Sequence, residues 1–140
     1  MLRPDGYPGL VLSAADGHDR AALVLSPQGA PVLSLSDASG QERAVVGVGP
    51  AQSPALSFLG KDGKPRARLG LLETAAAPPV LVLSDDGGHE RALLALGVDG
   101  SPSLALRDKD SRNRATVQLR GDGAPSLQLI DGAGKLLPIK

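Results

Sequence analysis

The residues of this chain with types suited to chemistry are two histidines, a series of arginines with aspartates a few places ahead of them, and one acidic cluster. His18 and His89 are the only imidazoles, the groups best placed for proton transfer or metal ligation near neutral pH. Each follows a glycine, Gly17 or Gly88, so both read as exposed turn residues that need not be neighbours in space. Asp108-Lys109-Asp110 followed by Asn113 has the look of half a calcium loop, since alternate carboxylates can converge on one cation. The loop's glycine and a downstream Glu are missing, and Lys109 and Arg112 intrude, so an ordinary turn is expected. Asp37 with Arg43, Asp85 with Arg91, and Asp108 with Arg114 are spaced to pair across a hairpin. Such exposed pairs contribute about 0 to 1 kcal/mol and guide register more than stability. Reading the arginines instead as an anion-binding ladder is the weaker alternative.

Other matches dissolve on context. Arg120-Gly121-Asp122 spells the tripeptide of integrin ligands, but it falls in a turn where Asp-Gly recurs at Asp99-Gly100. The glycines from Gly97 to Gly100 precede no helix, which rules out a phosphate-cradling loop. There is no cysteine nucleophile, and the serines have no distinctive base beside them to activate a hydroxyl. No catalytic, cofactor-binding or metal-binding residue is assigned, and the chain is expected not to be an enzyme and to need no cofactor.

What positions these residues is a repeat. Pro8, Pro31, Pro54, Pro79, Pro102 and Pro125 mark six tandem units with a period of about 23, over 8–30, 31–53, 54–78, 79–101, 102–124 and 125–140. Two places after each proline stands a leucine, and four places after it comes another leucine or Phe58. Nine places on lie Gly17, Gly40, Gly63, Gly88, Ser111 and Gly134; three places later comes Arg-Ala, lost only in the last unit at Leu137-Pro138. Within a unit the apolar residues alternate, then break at an Asp and Gly, then alternate again. That pattern describes a β-hairpin closed by a type I turn and a residue at positive φ. A proline at the first position of a strand costs the sheet little. The Asp-x-x-Gly tips resemble those of bacterial repeat proteins, including phage-fibre-like shafts, in turn chemistry alone; a fibre, shaft or surface element is instead suggested by the equivalent units, the absence of a unique polar cluster and a second, packable face.

The expected fold is therefore all-β, a single repeat domain over 1–140 with about 12 short antiparallel strands. Aspartates alternate between odd and even units, which hints at a four-stranded module used three times. One face is leucine-rich; the other carries small residues such as Gly9, Ser34, Gly47, Ser57, Gly70 and Ala105. An open sheet of that width would leave the leucines wet, so it must close, fold over or associate. A β-prism-like closure is the leading expectation, with a β-trefoil, a β-solenoid or a propeller completed by assembly as alternatives.

Composition narrows the function. With 15 basic and 15 acidic residues in no blocks, the chain offers no footprint for nucleic acid or an anionic membrane. No apolar run suggests a membrane span or signal peptide. An extracellular or appendage-associated role is compatible with this, and the compartment is left open. The sequence favours a non-enzymatic structural or assembly module that forms a homo-oligomer, a trimer or a filament, or binds another protein, with the small-residue face as the packing surface. The competing reading is a lectin-like module binding glycans at its hairpin tips, weakened by having only Tyr7 and Phe58 as aromatic rings.

Overall fold

The structure, a computed structural model, describes residues 8–49 and 52–139. Tyr7 and the rest of 1–7, where no signal peptide is expected, lie outside the described residues. The chain forms β1 (Gly9–Ser13), β2 (Asp19–Leu25), β3 (Pro31–Ser36), β4 (Glu42–Val48), β5 (Pro54–Leu59), β6 (Pro65–Leu71), β7 (Pro79–Ser84), β8 (Glu90–Leu96), β9 (Pro102–Arg107), β10 (Asn113–Leu119) and β11 (Pro125–Leu129). No helix occurs among the described residues.

All strands belong to one antiparallel sheet, and their order in space is their order in sequence. Turn chemistry dictates this meander. At every connection except that through 72–78, the first turn residue donates its N–H to the carbonyl of the fifth, and the fourth donates back to the first. The fourth residue takes positive φ, where a glycine has no Cβ to clash. The sequence expectation of a type I turn plus a positive-φ residue is met, and at Ser111 (φ 60) and Gln52 (φ 59) without a glycine. Such tight reversals only ever lay a strand beside its predecessor. The sheet is open, with β1 and β11 at opposite edges, and the described residues show no prism, trefoil, solenoid or propeller closure within one chain. A twelfth strand is reduced to a bridge between Ile130 and Leu136 and one bond from the Leu137 N–H to Leu129. Pro138, lacking an N–H, cannot extend it.

Register aligns the units. The second residue after each proline heads an uninterrupted row running Leu10, Leu23, Leu33, Val46, Leu56, Leu69, Leu81, Leu94, Leu104, Val117, Leu127. On one side of it, a parallel row alternates large residues with alanine, from Leu12 and Ala21 to Ala115 and Leu129. On the other side the repeated prolines face Leu25, Val48, Leu71, Leu96 and Leu119. Nothing in this register divides the sheet into four-stranded modules.

A sheet one layer thick has no interior. Val80 and Ala105 are the hydrophobic residues that reach full burial among those described, at 2% and 8% exposure, while Leu10 and Leu94 stand 62% and 51% exposed. The chain presents 9104 Å² of accessible surface, about a third more than the roughly 6,800 Å² of a compact monomer of its mass.

Candidate assembly surface

Two faces and two turn edges make up the accessible surface. The hairpin turns at 14–18, 37–41, 60–64, 85–89, 108–112 and 131–135 lie along one edge, and the links between units along the other.

The tip edge carries the polar machinery. Inside each complete hairpin the register slips by one residue, for example between Leu12 opposite Ala21 and Ser13 opposite Asp19. The same slip recurs in the other complete hairpins. The residue left unpaired at each slip is Arg20, Arg43, Arg66, Arg91 or Arg114. Every arginine of the repeated Arg-Ala pair thus occupies a β-bulge, which re-aims its side chain toward the tip; the alanine after it returns to the leucine face.

The expected pairs form: Arg43 with Asp37 at 2.5 Å, Arg91 with Asp85 at 3.4 Å and Arg114 with Asp108 at 2.5 Å. Arg20 with Asp16 and Arg66 with Asp62 do the same from four residues away. The Asp therefore has two equivalent placements. At the first turn position (Asp37, Asp85, Asp108) or the third (Asp16, Asp62) its carboxylate accepts from the same amide, that of the fifth turn residue. It also meets the same bulged arginine. The alternation in the sequence is this choice of placement over the first four units, and the fifth breaks it by using Asp108 at the first position, so no larger structural unit is marked.

The guanidiniums also reach sideways. Arg43 donates to the carbonyl of Gly60 at 2.6 Å, Arg66 to that of Asp85 at 2.6 Å, and Arg114 to that of Asp131. Each of these stitches its own tip to the next, a connection with no signature in the spacing of a single hairpin. The carboxyls respond accordingly. The Ser39 hydroxyl, with Arg43, holds Asp37 well below the usual carboxylate range. Asp16, Asp85 and Asp108 are lowered first by the turn amide of His18, His89 and Arg112 respectively. At Asp62 partial burial pulls the other way, and the Lys64 amide and Arg66 outweigh it.

Candidate catalytic and metal residues do not converge. His18 lies at the first tip, with its Nδ1 close to Gly40 of the second, while His89 lies at the fourth with Nδ1 3.2 Å from Asp85. Asp108 is engaged by Arg114, Asp110 pairs with Lys109 at 2.9 Å, and the Asn113 side chain accepts from Arg107 at 3.0 Å. No cluster of three metal-type ligands occurs among the described residues. Arg120 and Asp122 sit exposed on the link edge, 3.9 Å apart.

The faces differ sharply. The second face is less uniformly small than the sequence implies, because Val24, Val32, Val45, Val80, Val82 and Leu93 share it with the glycines and serines, and Arg68 crosses its centre. It is also crowded: a Cβ on Gly70 would lie 2.9 Å from the Ala55 side chain and 2.9 Å from the Pro54 carbonyl. The leucine face holds only Leu, Val, Ala, Pro and Phe58 within the strands, and no polar side chain interrupts it. A shallow hollow opens on it among Leu69, Pro79, Leu81, Leu94 and Leu96.

No protein-family profile and no curated protein matches the chain. Among solved structures, a mutant of the TCP10 domain of Danio rerio CPAP is similar over 97% of this chain and 69% of its own, with 17% identity and a TM-score of 0.35. A likeness at that level says nothing of function.

Proposed function

We propose that this chain is a non-enzymatic structural module whose hairpin repeats build a sheet for self-association. The observation that carries this reading is the leucine face, contiguous over eleven strands and uncovered. Exposed apolar patches beyond a few hundred Å² mark interaction surfaces, and a sheet with almost no buried side chains draws its stability from whatever covers it. Asp16, Asp37, Asp62, Asp85 and Asp108 at the tips are engaged by turn amides and bulged arginines, consistent with a framework role. A lectin-like role has less to stand on, because the carboxylates of Asp37, Asp62 and Asp108 are occupied by arginines and turn amides, and Phe58 lies within the leucine face. Size-exclusion chromatography with light scattering tests the proposal. The expected result is a mass that exceeds one chain and rises with concentration; a monomer at every concentration refutes it.

A further inference from the structure

We infer that the leucine face is covered by the leucine face of a second copy of this chain, giving a two-layered, two-fold symmetric dimer. This rests on the assembly reading above and adds its surface, partner and geometry.

Area is the first support. Eleven strands spaced about 4.8 Å apart, each contributing about five residues at 3.4 Å, give a footprint of roughly 800 Å² per copy. A pair would bury about 1,600 Å², the size typical of a stable protein interface. Width is the second. Open sheets of more than about ten strands usually curl, split or pack against another sheet, and among the described residues this one shows neither closure nor a covering element. Relief is the third. The row that alternates Leu12, Ala21, Leu35, Ala44 and onward presents a ridge and a hollow every two strands, so a copy of the same row can set its large residues over alanines. An isologous contact requires such self-complementarity. With no polar group on the face, no buried hydrogen-bonding atom is left unpaired by the contact.

Edge-to-edge growth is opposed on the β11 side. The Leu136–Leu137 segment already occupies part of that edge, Pro138 offers no N–H, and Leu137 stands where the stitching arginine would be. The second face is a poorer partner, since Arg68 would be desolvated at its centre.

The test uses the whole chain, which contains no cysteine. Leu69→Lys/Leu94→Lys should raise the dimer dissociation constant on the order of 100-fold or more, because the charges would be buried unpaired. Gln118→Lys/Gln128→Lys, on the second face, should leave it unchanged. As a check independent of whether the lysine variant folds, Ala67→Cys on the leucine face should be joined by a short bismaleimide into a covalent dimer. Ser57→Cys on the other face should not. If the wild-type chain assembles but only Ser57→Cys is joined, or the lysine pair leaves the mass unchanged, the leucine-face dimer is wrong while the assembly reading stands. A wild-type chain that stays monomeric overturns both, and one that binds phosphatidylcholine vesicles in place of dimerising overturns the choice of a second copy.

Discussion

Ser111 is the one place where the glycine series at the tips lapses, and it still takes φ 60. A side chain held there costs about 1 kcal/mol, so Ser111→Gly is expected to stabilise the protein by about that amount in urea melts; a loss of stability would refute the turn assignment. Gly70 poses the opposite case. Its φ is ordinary, but a Cβ has no room against Ala55 and Pro54. Gly70→Val is expected to cost about 1–3 kcal/mol, measured the same way. The sequence showed the first of these positions plainly, because a positive-φ slot leaves a periodic glycine. It could not distinguish the second, since a glycine that relieves crowding and a glycine that is merely small look alike in a repeat.

Within a hairpin, the unit of stability is the tip, its bulge and the arginine aimed back by that bulge. Moving the carboxylate from the first to the third turn position keeps the amide of the fifth turn residue and the bulged arginine as partners and gives up only the amide of the third, as the natural tips show. Asp37→Ala is therefore expected to lower Tm by a few degrees, and Asp37→Ala/Ser39→Asp to recover most of it; failure of the double variant to recover would refute the equivalence of the two placements. Acid should act on the same groups. Asp16, Asp37, Asp62, Asp85 and Asp108 have folded pKa values depressed below the ordinary 3.8. Their stabilisation is complete above that value and is lost as pH falls through the lower folded values. A Tm flat from pH 7 to 5 and falling below pH 4 is expected from thermal melts, whereas a maximum near pH 3 would contradict it. Pairs such as Asp37 with Arg43 were legible because a hairpin brings residues six apart together. The stitches to Gly60 and Asp85 were not, because they depend on a bulge and on how neighbouring hairpins align.

For the whole molecule, the hairpins, their number and the existence of an all-apolar face followed from the period. Openness did not: whether a meander closes depends on accumulated twist and bend, to which each hairpin contributes a little and which no residue pattern announces. Concentration dependence is the expected signature, with a urea midpoint that rises with protein concentration as association pulls on folding; a midpoint independent of concentration would count against it. The strictly sequential strand order has one more consequence, for folding. Every strand contacts only its neighbours in the chain, so stability adds up along one dimension as in other repeat proteins. Any hairpin can then nucleate and the rest zip outward, without the long loop closures that slow most β proteins. Deleting 31–53 would join Ala30 to Pro54 and set Leu25 beside Pro54 in the register it now has with Pro31. The shortened chain should keep its β-sheet circular dichroism spectrum and refold at a similar rate, so the length of this sheet is a quantity that duplication or loss of a single unit can change.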